Sequence, residues 1–101
     1  MPEPLSTQQL TKIAIAALED IKAKDIKVMD VAHLSSLFET MIIASGDSNR
    51  QVRSLADNVQ KKLKEAGAEI IGIEGEQVGE WVLVDAVGLV VHVMHPAVRL
   101  H

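Results

Sequence analysis

The sequence predicts a single α/β domain in which two main helices cover a mixed sheet of about five strands. Two segments carry apolar residues at helical spacing, and each follows a serine that has a glutamine three positions later. Five other segments are short apolar or alternating runs of strand length. The chain has 101 residues, 48% of them apolar, so it can bury one core and is short for two domains.

The first element is predicted to be a helix. Residues 1–5 contain two prolines and are expected to form a tail. Ser6 and Gln9 then have the spacing of a capping box, in which each side chain satisfies a free amide at the helix start. Apolar residues recur at helical spacing from Leu10 to Ile21, which predicts a helix from about Thr7 to Lys24.

A second helix is predicted in the middle of the chain, after a turn at Gly46. Ser48 and Gln51 have the spacing of a second capping box. The apolar stripe that follows runs from Val52 to Leu63. Gly67 is expected to end this helix, because glycine readily adopts the left-handed conformation of the C′ position.

Five strands are predicted, and their connections indicate a mixed sheet. They are expected at Ile26–Val31, Thr40–Ser45, Glu69–Glu74, Glu80–Asp85 and Leu89–Met94. The short turn Ala86–Gly88 joins the last two into an antiparallel hairpin. The strand, helix and strand between Thr40 and Glu74 are predicted to form a right-handed crossover with parallel strands.

The composition argues against several classes of function. The chain has no cysteine, which excludes disulfides and thiolate metal sites and suits a cytoplasmic protein. Its net charge of −4 argues against binding nucleic acid by neutralising phosphates, so on a ribonucleoprotein we expect it to contact a basic protein. No apolar run approaches the roughly 20 residues of a membrane helix, and no signal peptide is predicted.

The chemically reactive side chains do not form a recognisable catalytic or metal-binding motif. The turn Ser45–Arg50 precedes a helix, where α/β sheets can bind anions, but it lacks a phosphate-loop pattern and is typical of a helix cap. Glu74 and Glu76 straddle a glycine, so they do not predict a pair of metal ligands. His92 and His95 are three apart on a strand and point to opposite faces. No catalytic residues, metal or cofactor are therefore expected.

Trp81 is the only tryptophan and the main candidate for a binding surface. A lone tryptophan in a small domain is commonly part of the core, but tryptophan is also enriched among interface hot spots. The polar loop Gln77–Glu80 leads into Trp81, which places it near the rim of the sheet. Met94 and Pro96 end the paired strand beside it. These neighbours favour an interface role, while a core role stays open.

Stretches covering nearly the whole chain after residue 10 resemble the ribosomal silencing factor family, also called the Iojap or RsfS family. They read ALEDIKAKDI at 17–26, VMDV at 28–31, MIIASGDSNRQV at 41–52, ADNV at 56–59, EGE at 74–76, GEWVLVD at 79–85 and VVHVM at 90–94. The resemblance implies a nucleotidyltransferase-like fold without catalytic carboxylates, and one silencing factor domain over residues 1–101.

The resemblance also implies a function and a set of partner-binding residues. Members inhibit translation by binding the fourteenth protein of the large ribosomal subunit and blocking association with the small subunit, and they are often homodimers when free. Carried over position by position, the binding surface is Glu80, Trp81, Leu83, Asp85, His92, Met94 and Pro96. Strand alternation puts Trp81, Leu83 and Asp85 on one face, and the acidic members suit a basic protein.

The chain departs from the family in two places, and two other functions remain open. Ala86-Val87-Gly88 stands where the family usually has Tyr-Gly-Asp, which changes the hairpin turn. Leu100-His101 does not resemble the family's aromatic and acidic C-terminal tail, which the chain is expected to lack. A small nucleotide-binding or nucleotidyltransferase-like enzyme would need at least two carboxylates converging at residues 46–50. A toxin–antitoxin-style dimer would act without the ribosome.

Overall fold

The computed structural model describes residues 5–99, in which five strands form one mixed sheet. The helices are α1 (Thr7–Asp20), α2 (Asn49–Glu65) and the short α3 (Pro96–Arg99). The strands are β1 (Lys24–Asp30), β2 (Phe38–Ser45), β3 (Ile70–Glu74), β4 (Trp81–Ala86) and β5 (Gly88–Met94). Their order is β1-β2-β5-β4-β3, with β2 and β5 parallel and the other pairs antiparallel. The predicted fold class is confirmed, whereas likeness to nucleotidyltransferases stays a prediction.

The core lies between one face of the sheet and the two long helices. Alternation along β4 buries Val82 and Val84 against the helices and turns Leu83 to the other side. In the same way β5 contributes Val91 and Val93 to the core and turns His92 away. One cluster of buried residues therefore joins α1, α2 and the sheet. The opposite face, which carries Trp81, Leu83, Asp85, His92 and Met94, is called here the open face.

The starts of both helices use the predicted serines, but only the first is a full capping box. Gln9 donates its amide hydrogen to Ser6 Oγ over 3.1 Å, and its side-chain Oε1 accepts from the Ser6 N–H over 2.8 Å. At α2, Gln51 donates its amide hydrogen to Ser48 Oγ in the same way. Its Oε1, however, accepts from the Asp47 N–H, and its Nε2 donates to the Ile21 carbonyl. The predicted second capping box was therefore wrong in one of its two hydrogen bonds. The Gln51 side chain does not bond to the Ser48 N–H, because it joins the start of α2 to the end of α1.

The predicted end of α1 at Lys24 was wrong, since the helix ends at Asp20. Lys22 adopts a left-handed conformation with φ of 62° and donates its amide hydrogen to the Glu19 carbonyl. Ala23 closes the turn by donating to the Leu18 carbonyl, a Schellman motif without the usual glycine. β1 consequently starts earlier than predicted. The same motif ends α2 at Gly67, as predicted.

β2 and β3 have the predicted parallel orientation, but they are not neighbours in the sheet. β2 and β3 run parallel, yet β5 and β4 lie between them. The hairpin of β4 and β5 is antiparallel, as predicted, and its turn is tighter than expected because both strands extend toward Val87. Residues 1–4 of the predicted tail, and Leu100 and His101, lie outside the described residues, whereas Leu5 packs against the core.

Candidate protein-binding surface

Trp81 and His92 form a hydrogen-bonded pair on the open face. Trp81 begins β4 and lies opposite Met94, and His92 lies opposite the next outward residue, Leu83. The indole Nε1–H donates to His92 Nδ1 over 3.0 Å, and the ring centroids are 5.8 Å apart at an interplanar angle of 45°. Trp81 is nevertheless 51% exposed. The indole is therefore fixed in orientation and presented to solvent, which decides against a core role.

The His92 imidazole is neutral at pH 7. Burial lowers the pKa of His92 below its ordinary value of 6.5, because the charged form loses solvation. A neutral imidazole has one accepting and one donating nitrogen. Since Nδ1 accepts from Trp81, the proton lies on Nε2, and this tautomer keeps the hydrogen bond between the two rings.

Acidification below pH 6.5 is expected to destabilise the fold through His92. Because its pKa is lowered in the folded state, the unfolded state binds more protons between the folded pKa and 6.5. The stabilisation is complete above pH 6.5 and is lost as the pH falls through the folded pKa. Urea unfolding at a series of pH values measures this loss. His92→Asn keeps an acceptor for Trp81 but does not titrate, so its free energy of unfolding should depend less on pH than that of the wild type. If both proteins lose stability equally as the pH falls, His92 is not the group responsible.

Other open-face residues complete a shallow depression beside the indole. Glu74, Gly75, Trp81, Leu83 and His92 line it, and its volume is about 210 Å³. Leu83 is half-buried and forms part of the lining, while Met94 is buried opposite Trp81. The face thus combines an aromatic anchor, apolar surface and a carboxylate, which is the composition of a protein interface.

Asp85 lies further along the open face. Its Oδ1 atom is buried and has no hydrogen-bond partner among residues 5–99. A buried acceptor without a partner is destabilising by roughly 1–3 kcal/mol.

The structure brings together five of the seven predicted site residues. Glu80 and Pro96 instead lie at the end of the sheet, where Glu80 is exposed and Pro96 begins α3. The Glu80 carbonyl accepts from the His95 N–H over 2.9 Å. Its side chain belongs to a separate depression of about 520 Å³, which is also lined by Asn49 and His95.

Sequence reasoning missed Glu74 as a member of this surface. Glu74 lies opposite Leu83 in the pairing of β3 with β4, and so borders the depression beside Trp81. The only signal in the sequence is the EGE stretch at 74–76, whose two carboxylates do not predict a metal site. Its register against β4 decides that it faces Trp81, and periodicity does not reveal that register.

The turn at residues 45–50 has the structure of a helix cap. Ser48 caps α2, and Asp47 forms an ion pair with Lys24 at 2.8 Å. Among the described residues, Glu80 supplies the one carboxylate that lines the neighbouring depression, whereas nucleotidyl transfer would require a pair. Residues 5–99 contain no group of three or more His, Asp or Glu side chains placed to hold a metal ion. In the same part of the chain, no helix has the length and hydropathy needed to cross a bilayer.

Comparison with known proteins identifies the family. Residues 4–101 match the family model described as "Ribosomal silencing factor during starvation". The ribosomal silencing factor RsfS of Chromobacterium violaceum is 62% identical over 95 residues, which cover 94% of this chain and 78% of that protein. The corresponding protein of Haemophilus influenzae is 38% identical, with 89% of this chain and 88% of that protein covered.

Solved structures agree with the sequence comparison. A crystal structure of a protein from Chromobacterium violaceum superposes with a TM-score of 0.95 at 61% identity, covering 96% of this chain and 81% of that one. A crystal structure from Bacillus halodurans has a TM-score of 0.87 at 33% identity, covering 93% and 88%. The chain therefore belongs to the ribosomal silencing factor family.

Proposed function

We propose that this protein inhibits translation by binding the fourteenth protein of the large ribosomal subunit and so blocking association with the small subunit. Its family is named for ribosome silencing during starvation. The observation that carries a binding role is the open face, where Trp81 is half exposed and yet held by His92. A preset aromatic side chain on a half-apolar surface is typical of an interface hot spot.

The charges around this face favour a basic protein as the partner. Carboxylates of Glu74, Glu76, Glu80 and Asp85 lie on the open face or at its end. They would attract a basic ribosomal protein and raise the rate of encounter at low ionic strength.

The protein acts by steric exclusion and not by catalysis, and it needs no cofactor. It works in the cytoplasm, where ribosomes are present, and pairs with a second copy when it is free. Within residues 5–99, the depression beside α2 has one carboxylate, which does not favour the enzymatic alternative.

The test combines binding to purified subunits with a measurement of subunit joining. The protein is incubated with isolated large subunits, small subunits are added, and joining is followed by light scattering and sucrose-gradient sedimentation. We expect binding to large subunits and a dose-dependent loss of joined ribosomes. The isolated fourteenth protein should compete for binding, which identifies the partner.

Three results would contradict the proposal. Failure to bind large subunits would remove its basis. Binding without loss of joining would exclude steric blocking as the mechanism. Binding that the isolated fourteenth protein does not compete for would place the contact elsewhere on the subunit.

A further inference from the structure

The loop Gly75–Glu80 between β3 and β4 is held in place by side chains of α2. Arg53 donates from Nε to the Glu76 carbonyl over 3.0 Å, and from Nη2 to the Gln77 and Val78 carbonyls over 2.8 and 2.9 Å. Asn49, one helical turn earlier, donates from Nδ2 to the Val78 carbonyl over 3.2 Å. Three successive backbone carbonyls of the loop are therefore bound by one helix face.

Gly79 allows the loop to lie close against this helix. It is buried at a φ of 79°, and a Cβ at this position would lie 2.8 Å from Arg53 Nε and 3.0 Å from the Asn49 carbonyl oxygen. Its own N–H donates to the Gly75 carbonyl over 3.0 Å and closes the loop. The close approach thus depends on a residue without a side chain.

The loop has few other means of keeping its shape. The loop buries little apolar surface, because its residues Glu76, Gln77 and Val78 are exposed. The loop nevertheless leads directly into Trp81 and carries Glu76 and Glu80 beside the open face. Among side chains, Arg53 supplies three of the hydrogen bonds to this acidic edge and Asn49 one.

We infer that Arg53 is a positioning residue for partner binding, which presets the loop Gly75–Glu80 beside Trp81 before the partner arrives. This inference rests on the proposed function. Presetting matters because a loop that must be ordered on binding lowers the affinity by its conformational entropy. Arg53 is suited to this because its planar guanidinium presents several donors in a fixed geometry, which lysine does not.

The experiment compares Arg53→Ala, Arg53→Lys and Gly79→Ala with the wild type and with Lys61→Ala. Lys61→Ala removes one exposed positive charge from the same helix, away from the loop. Affinity for isolated large subunits is measured for each protein. Loop order is measured without the ribosome, by hydrogen exchange of the amide at position 79, which donates to the Gly75 carbonyl, and by acrylamide quenching of Trp81, the only tryptophan. Circular dichroism checks that each variant is folded.

We expect Arg53→Ala to bind about tenfold more weakly, to exchange the Gly79 amide faster and to be quenched more strongly. Arg53→Lys should remain closer to Arg53→Ala than to the wild type, because a restored charge does not restore the fork of donors. Gly79→Ala should loosen the loop although the arginine is present. Lys61→Ala should match the wild type in all three measurements.

The possible failures are distinguishable. If wild type binds and Arg53→Ala loosens the loop without weakening binding, the role of Arg53 is overturned while the proposed function stands. If Arg53→Lys binds like wild type, charge and not positioning explains the effect, and the inference is overturned. If Arg53→Ala leaves hydrogen exchange and quenching unchanged, the hydrogen bonds do not order the loop. If wild type does not bind at all, the proposed function fails and the role of Arg53 fails with it.

Discussion

Replacing Trp81 with alanine is expected to lower the affinity for large ribosomal subunits by roughly 30-fold or more, because truncated hot-spot residues lose about 2 kcal/mol or more of binding free energy. The indole is half exposed and belongs to the open face, so its loss removes contact area with a partner and little of the core. Trp81→Phe keeps an aromatic ring but lacks the N–H that binds His92, and should have intermediate affinity.

The matched control for Trp81→Ala is Leu34→Ala. Leu34 is 77% exposed in the loop between β1 and β2, at the end of the sheet opposite Trp81. Leu34→Ala removes exposed apolar area outside the proposed surface, so the affinity of this variant for large subunits should equal that of the wild type. Affinities are measured by sedimentation with labelled protein, and unfolding curves show that each variant is folded. Wild-type affinity in Trp81→Ala would show that the partner binds another surface.

Replacing Leu55 with alanine is expected to give the largest loss of stability, about 3 kcal/mol, which is near the middle of the range for buried leucines. Leu55 is fully buried in α2, within the cluster that joins both helices to the sheet. The melting temperature should fall by more than about 10 °C for a domain of this size. Urea and thermal unfolding followed by circular dichroism measure both quantities.

Leu37→Ala is the control for Leu55→Ala, since it makes the same chemical change where the side chain is 76% exposed. We expect a change within about 0.5 kcal/mol. The Leu55→Ala variant should still bind large subunits at a temperature where it is folded, because the Leu55 side chain does not reach the open face. If Leu55→Ala loses less than about 1 kcal/mol of stability, α2 must repack around the smaller side chain and the buried cluster tolerates the change.

These two substitutions separate stability from binding. Trp81→Ala is expected to fold and not to bind, whereas Leu55→Ala is expected to bind whenever it is folded. The separation follows from the two faces of the sheet, because the helix face holds the core and the open face holds Trp81 and His92. Loss of both properties in either variant would show that the two faces are coupled.

Local features of the fold followed directly from the sequence. The capping box of Ser6 with Gln9, the apolar stripe of α2 and the β4–β5 hairpin all depend on residues close together in the chain. The end of α1 did not follow from the sequence, although it also depends on nearby residues. Gly67 predicts the end of α2, whereas at the end of α1 the left-handed conformation is adopted by Lys22, which is not a glycine.

The candidate surface was predicted in part. Alternation placed Trp81, Leu83 and Asp85 on one face, and the structure confirms this arrangement. It did not reveal that the indole donates to His92, since that bond requires the register of two strands. Glu80 and Pro96, carried over by resemblance, lie at the end of the sheet and not on its open face.

By itself, the sequence determined the class of fold and the family and pointed to Trp81 as the candidate anchor, because periodicity and local motifs act over a few residues. Only the tertiary structure decided the strand order, the pairing of Trp81 with His92, the place of Glu74 and the hold of Arg53 on a loop 23 to 25 residues away. These contacts join residues distant in the chain. Their geometry is set by how the sheet and helices pack together, which no single segment contains.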